Sequence, residues 1–332
     1  MFVIESYQLA ILFCIVTMLC WGSWANTQKL SGKAWPFQLF YWDYVLGILL
    51  TTLVLAFSLG SFGTVGRSFL VDLTQAEWCH IGSAFWSGVI FNFANLLLVI
   101  AINLSGMAIA FPIGIGIALV QGVLLNYLMK PDGDPLLIFG GVALVVVAIL
   151  MDAVAYKKIS SSDEKSATKG IIISLLAGLS MGLFYKYIAQ SMASDFLVPE
   201  SGKLTLYTAL VIFAVGIVIS NFVLNTINMY KPVFGTPVTY KDYFKLGTPK
   251  LHLIGMFGGL IWGTGMAFNI IASAVASPAI AYGLGQGATM IAALWGVFVW
   301  KEFKNGSRGT NRLLVFMFLS FILGLGLLIV AK

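Results

Sequence analysis

The chain has 332 residues, of which 59% are hydrophobic and 10% charged, with a formal net charge of +6 and a mean hydropathy of +0.95. Ordinary soluble domains are about 45–50% apolar, so a soluble enzyme is excluded, and the basic residues lie in loops and form no nucleic-acid-binding stripe. An integral membrane protein remains, and the absence of alternating barrel-type strands makes it all-α.

A bilayer core takes about 20 apolar residues per helix, and each helix satisfies its own backbone hydrogen bonds in lipid. Ten such runs are predicted, at 8–27, 40–60, 81–103, 107–128, 135–155, 170–191, 204–226, 251–275, 279–300 and 313–331.

The first run follows Glu5 with no basic residue before it, so it reads as a membrane helix and not as a signal peptide. It ends in CWGSWANTQKL, which puts Trp21 and Trp24 three apart on one face. The second opens at FYWDY, with Asp43 at its start. A loop at 61–80 carries Asp72, Glu77, Trp78 and His80, with Trp78 placed as an interfacial ring. Asn92 and Asn95 lie mid-membrane on one face of the third run.

The fourth run starts three residues later, so the third and fourth form an antiparallel hairpin; it holds Phe111-Pro112, Gly114-Ile115-Gly116, Gln121 and Asn126. The fifth enters through the turn PDGDP and leaves at Asp152 and Tyr156. Residues 156–169, YKKISSSDEKSATK, are the clearest break in composition and read as a solvated linker. Beyond it come Gly178-x-x-x-Gly182, a close-packing signature, and Lys186 in the sixth run. The seventh ends in Asn221, Asn225 and Asn228, before a basic, proline-bearing loop at 229–250. Trp262 and Asn269 belong to the eighth run and Tyr282 and Gln286 to the ninth, while the tenth, at Leu313-Leu314-Val315-Phe316, resembles the fifth at Leu136-Leu137-Ile138-Phe139. Cys14, Cys20 and Cys79 show no disulfide framework or metal spacing and read as apolar fillers; no metal or cofactor is expected.

Lysine and arginine divide unevenly between the two sides. Loops after odd-numbered helices hold Lys29, Lys33, Lys157, Lys158, Lys165, Lys169, Lys231, Lys241, Lys245, Lys250, Lys301, Lys304, Arg308 and Arg312, or 14 of 19. The other side has Arg67, Lys130, Lys203 and Lys332. By the positive-inside rule the odd loops are cytoplasmic and both termini face outward in the cell membrane.

Residues 259–287 repeat 88–116: at a fixed offset of 171, nine of 29 pairs are identical, including Gly259 on Gly88 and Gly285 and Gly287 on Gly114 and Gly116. The expected organisation is a five-helix repeat over 1–155, a cytoplasmic linker at 156–169 and a second repeat over 170–332. An odd number of helices per repeat inverts the second copy. Inverted repeats with short, Gly/Pro-interrupted central helices are a transporter architecture, with solute at the midplane.

Gly22-Ser23-Trp24, Asp43-Tyr44, Asn95-Leu96, Leu125-Asn126-Tyr127, Trp295-Gly296 and Trp300-Lys301-Glu302 resemble, in order and placement, recurring positions of the drug/metabolite transporter superfamily, within it the ureide permease and glucose/ribose porter families. The resemblance covers most of the chain. It implies ten helices, outward termini and uptake of small neutral polar solutes, sugars or nitrogen-rich heterocycles. Plant ureide permeases resemble one another in a larger central loop with a phosphate-loop-like motif; residues 156–169 contain no glycine, which leaves no argument for nucleotide binding here.

An unpartnered amide in hydrocarbon costs several kcal/mol, on the order of 2–7. Asn92, Asn95, Gln121, Asn269 and Gln286 therefore face protein or water, either bonding between helices or converging on a solute. Trp21, Trp24, Trp262 and Tyr282 offer faces for stacking or serve as packing, with Trp262 preferred for its mid-membrane position. Lys186 either snorkels outward or stands in the site as a buried cation. Asp43, Asp152 and Glu302 are solvated anchors at helix ends, with Asp43 the candidate for coupling to a proton or sodium ion.

These residues point to a secondary transporter that imports a monosaccharide such as ribose or glucose, with a ureide or purine-like heterocycle second, by alternating access. Multidrug or metabolite export by proton antiport is the other transport class, disfavoured because the first helix lacks an embedded carboxylate. A membrane enzyme is set aside: His80 and His252 lie near opposite faces, and no nucleophile–His–acid set exists.

Overall fold

The computed structural model describes residues 1–32, 35–105, 107–158, 164–304 and 306–332. Among the described residues, ten helices are long and apolar enough to cross a membrane. They are α1 (Tyr7–Ser31), α2 (Phe37–Phe57), α3 (Trp78–Ser105), α4 (Met107–Met129), α5 (Pro135–Lys157), α6 (Glu164–Ser191), α7 (Leu206–Tyr230), α8 (Pro249–Ala276), α9 (Pro278–Val299) and α10 (Arg308–Ile329). Among the described residues the only β-pairing is an isolated bridge, Met192 to Leu204. Of the linker at 156–169, residues 159–163 lie outside the described residues, as does Lys33.

Local chemistry sets the helix starts. Asp134 caps α5 through its carboxylate, which accepts from Leu136 and Leu137 N–H, and Pro135 occupies the first turn, where its missing N–H costs nothing. Thr248 and Pro249 open α8 in the same way. Helices α8 and α9 are separated by Ser277 alone, held at φ +75 with its hydroxyl accepting from Ile280 N–H.

Two predicted runs are more broken than their hydropathy suggests, and two predicted loops hold short helices. Helix α1 interrupts at Trp24 and restarts as Ala25–Ser31. Helix α9 breaks after Gly285 at Gln286–Gly287, restarts at Ala288 and ends in a wide turn over Trp295–Val299. Short helices at Phe69–Gln75 and Tyr240–Leu246 occupy the loops 61–80 and 229–250. Hydropathy averages over a window and is blind to single-residue breaks.

Helix packing follows one rule. Helix α3 packs on α6 as α8 does on α1, α4 on α6 as α9 on α1, α2 on α8 as α7 on α3, and α4 on α5 as α9 on α10. The pairs α2–α7, α4–α9 and α5–α10 complete the set. These principal pairs are unchanged when helix n is exchanged with helix n + 5. The tightest crossings obey the same exchange. A Cβ on Gly259 would lie 2.0 Å from the Tyr44 carbonyl and one on Gly47 would lie 2.2 Å from that of Met256; on Gly88 and Gly216 the corresponding distances are 2.0 Å to Phe213 and 2.2 Å to Phe85. Close backbone approach of this kind is how helices gain dispersion contacts in lipid. The pair Gly178 and Gly182 packs α6 on Gly114 and Gln121 of α4.

The two ends of the bundle are chemically distinct. On one end the N-terminal ammonium bonds Val65 O at 2.6 Å, Arg67 donates to the carbonyls of Pro199, Glu200 and Lys203, and Lys332 pairs with Asp132 at 2.8 Å. The other end holds the basic loops and the mouth described next.

Candidate solute-binding cavity

A cavity of about 440 Å³ lies between α1, α3, α4, α5, α6, α8 and α9. Its closed end is aromatic. Trp21 and Trp262 stack nearly parallel, with centroids 5.8 Å apart and planes 12° from each other. Trp262 lies 4.4 Å from Phe91, and Phe91 meets Phe184 edge-on at 5.2 Å. Such contacts each add about 0.5–1.5 kcal/mol beyond burial.

Polar atoms without protein partners stand against that floor. The Trp21 indole N–H is buried without an acceptor. Gln286, 8% exposed at the break in α9, makes no side-chain hydrogen bond among the described residues. Asn95 donates to the Tyr41 hydroxyl at 3.1 Å, which leaves its carbonyl oxygen toward the cavity. Discontinuous helices place such groups at the midplane because the break frees backbone and side chains from intrahelical bonding.

The other end of the cavity reaches the basic loops. There Lys29 pairs with Glu302 at 2.7 Å and lies 4.7 Å over the Trp300 ring; the Tyr156 hydroxyl donates to Glu302 at 2.7 Å. Trp300 donates to Asn26 at 2.6 Å and Trp295 to Ser23 at 2.8 Å, which ties the second segment of α1 to the end of α9. Asp152 lines the same region, 8% exposed, with neither carboxylate oxygen hydrogen-bonded among the described residues and Oδ1 fully buried. Lys29 and Glu302 remain part-exposed, so their ion pair contributes only about 0–1 kcal/mol.

Of the residues singled out by sequence, Trp21, Trp24, Asn95, Trp262 and Gln286 line this cavity. Trp24 does so with its ring centroid 4.6 Å from that of Tyr44 and its plane tilted by 34°. The others lie elsewhere. Asn92 accepts from Tyr41 and donates to Ser220 and the Ile217 carbonyl, so its amide is used between α2, α3 and α7. Gln121 donates to Leu179 O, Asn269 to Ala281 O across the α8–α9 junction, and the Tyr282 hydroxyl bonds Ala118 O and Met181 O. Lys186 is half-buried outside the cavity, with no ion pair among the described residues.

Asp43 is buried away from the cavity and saturated by donors. Trp35 reaches it at 3.2 Å, His252 at 2.9 Å, and the Tyr243 hydroxyl donates to it. Tyr243 lies in the loop helix, and burial followed by the neighbouring carboxylate raises its hydroxyl above the ordinary tyrosine value. The cluster pins that loop helix and α8 to α2.

Sequence reading missed Asp152, Tyr156, Phe91 and Phe184 as cavity residues, and took Glu302 for an anchor. The spacing of four between Asp152 and Tyr156 sets both on one helical face, a signal that hydropathy alone hides. Cys79 is a correction: it is exposed, with its sulfur 3.6 Å from Glu77, because α3 begins at Trp78 and its first turn stands clear of the bundle. The possible ligand atoms of Glu77, Cys79 and His80 all lie within 4.8 Å of one another.

The family model for ureide permeases matches residues 40–169 and 157–331, two pieces that meet across the linker and together span most of the ten-helix bundle. The chain belongs to the ureide permease family. Ureide permease 1 of Arabidopsis thaliana is 23% identical over 100% of this chain and 99% of its own length, and ureide permease 4 of the same plant is 24% identical over the same shares. The glucose uptake protein GlcU of Bacillus subtilis (strain 168) is 26% identical, covering 89% of this chain and 90% of that one. A solved crystal structure at 11% identity superposes with a TM-score of 0.61 over 96% of both chains, a likeness of fold alone. This ureide permease is thus a multi-pass transporter of a family without enzymatic activity. Its cavity is the feature of the fold suited to hold a solute.

Proposed function

We propose that this permease imports a small neutral polar solute by alternating access, a ureide or related nitrogen-rich heterocycle first and a monosaccharide second. The observation that carries this is the aromatic end of the cavity, where the Gln286 amide and the Asn95 carbonyl oxygen stand without protein partners among the described residues. Pockets that bind small solutes combine apolar walls with a few convergent polar groups, and a flat ring with N–H and C=O edges can stack there and meet both. The monosaccharide stood first on sequence; the names of the plant relatives reverse that order, and the bacterial glucose uptake relative keeps the second reading in play.

Two inverted repeats, 1–155 and 170–332, are the framework we infer for the cycle. The exchange rule in helix packing and the paired glycine crossings support it. With the odd loops in the cytoplasm of a cell-membrane protein, both termini lie outside and the cavity opens inward. A coupling ion, proton or sodium, would drive concentrative uptake.

The test is uptake of radiolabelled allantoin, uracil, glucose and ribose into cells expressing the protein, with and without an uncoupler. Saturable uptake of a heterocycle, competed by unlabelled compound, is expected. Accumulation of none of the four, at verified surface expression, overturns the reading.

A further inference from the structure

Three charged side chains line the cavity: Lys29, Asp152 and Glu302. Lys29 is already paired with Glu302 at 2.7 Å, and Glu302 also accepts from the Tyr156 hydroxyl. Nothing comparable serves Asp152. It is more than nine-tenths buried, neither carboxylate oxygen accepts a hydrogen bond among the described residues, Oδ1 is fully sealed, and the like charge of Glu302 acts on it. Helix α4, packed on α5, contains no charged residue, and Arg308 and Arg312 of α10, its other neighbour, are exposed.

An unpaired carboxylate in this setting is costly. Oδ1 is sealed in the protein, so the oxygen left at the cavity wall to take a partner is Oδ2, and an ionised carboxylate, an acceptor-only group, takes N–H or O–H donors. The same charge repels anions. At about 4–7 Å and water-like screening the Coulomb energy is on the order of 0.5–1 kcal/mol, and several-fold larger at the lower effective dielectric of a part-buried site. We propose that Asp152 is the specificity-determining residue of the cavity: it admits neutral or cationic solutes that present N–H or O–H donors and rejects carboxylates and phosphates. This deepens the transport reading and rests on it for the solute, while the charge of the cavity can be measured without any solute.

The charge is read from quenching of tryptophan fluorescence by iodide, an anion, relative to acrylamide, a neutral quencher, on purified protein at pH 8. Five of the nine tryptophans, Trp21, Trp24, Trp262, Trp295 and Trp300, line the cavity. Trp78 and Trp86, 85% and 58% exposed elsewhere, are replaced by phenylalanine in the background used. Asp152→Asn, which keeps the shape, should raise the iodide-to-acrylamide ratio about threefold, from ~0.6 kcal/mol of relieved repulsion. Asp152→Glu should leave the ratio near the parent value, and Lys29→Met, which uncovers Glu302, should lower it. A merely structural role would not move the two neutralising variants in opposite directions.

The solute arm compares uracil with orotate, its 6-carboxylate, and glucose with glucuronate as competitors of uptake. The neutral member should win by at least tenfold in the parent, with the gap narrowing in Asp152→Asn. Should neither neutral compound compete while the iodide ratio shifts as stated, the solute reading fails and the charge assignment stands. An iodide ratio unchanged in Asp152→Asn overturns the assignment itself.

Discussion

Trp21 of α1 and Trp262 of α8 stack with planes 12° apart and close one end of the cavity, while the Trp21 N–H is left without an acceptor. The same pair is both wall and recognition surface, which determines how variants there should behave. Trp262→Ala opens a hole in an aromatic cluster and should cost about 3–5 kcal/mol of stability, so lost uptake would be uninformative. Trp21→Phe keeps an aromatic face on Trp262 but removes the N–H together with the second ring that packs on Gly265 and Gly285. It is expected to raise the apparent KM for the transported solute about 5- to 30-fold, ~1–2 kcal/mol, with surface expression intact. An unchanged KM would assign the indole to packing.

Asn92 and Gln286 should separate cleanly. Asn92 makes three interhelical hydrogen bonds outside the cavity, so Asn92→Ala should lower thermal stability by roughly 1–3 kcal/mol and leave KM alone. Gln286→Ala should do the reverse, since its amide has no protein partner to lose. Thermal melts of detergent-purified variants, set beside uptake kinetics, decide it.

Lys186→Met should be expressed and should transport normally. The lysine lies outside the cavity and forms no ion pair among the described residues, which fits snorkelling toward the interface. Loss of uptake in that variant, at normal surface expression, would return Lys186 to the site.

The glycine crossings give a sharper structural expectation. Gly259→Ala drives a methyl to 2.0 Å from the Tyr44 carbonyl, and backbone cannot step aside cheaply. Gly88→Ala at the matching crossing meets the same obstacle. Both should fail to reach the membrane in folded form, whereas Gly82→Ala and Gly326→Ala, with nothing within 4 Å, should be tolerated. Fluorescence-detected size exclusion of the four variants would show it.

Tyr243 provides a pH test at the loop cluster. Its hydroxyl is raised by burial and by Asp43, so the neutral form is favoured in the folded chain. Stability from this group is complete below the ordinary tyrosine value near 10 and is lost as pH climbs through the raised one. Difference absorbance at 295 nm between the parent and Tyr243→Phe should show the extra tyrosine ionising above pH 10. Ionisation at or below pH 10 would mean that the hydroxyl does not sit on Asp43.

The sequence by itself determined the class, the ten spans and their sidedness in charge, because a bilayer imposes length, apolarity and self-satisfied backbone on each helix separately. Those are one-dimensional constraints, readable from 20-residue windows. The 171-residue offset also survives in one dimension, as small residues at fixed spacing, and in the bundle its first pair, Gly88 and Gly259, stands where helices cross. What a window cannot hold is which polar side chain finds its partner on another helix. Asn92 and Asn95 are three residues apart on one face, yet the first is saturated by α2 and α7 while the second keeps a free oxygen at the cavity. Asp43 and Asp152 both stand near helix ends; Trp35, Tyr243 and His252 close around the first, while the nearby lysine is paired with Glu302 and the second, at the cavity wall, receives no hydrogen bond among the described residues. Those outcomes depend on donors brought in from far along the chain, and only the packed structure decides where a donor has been spent.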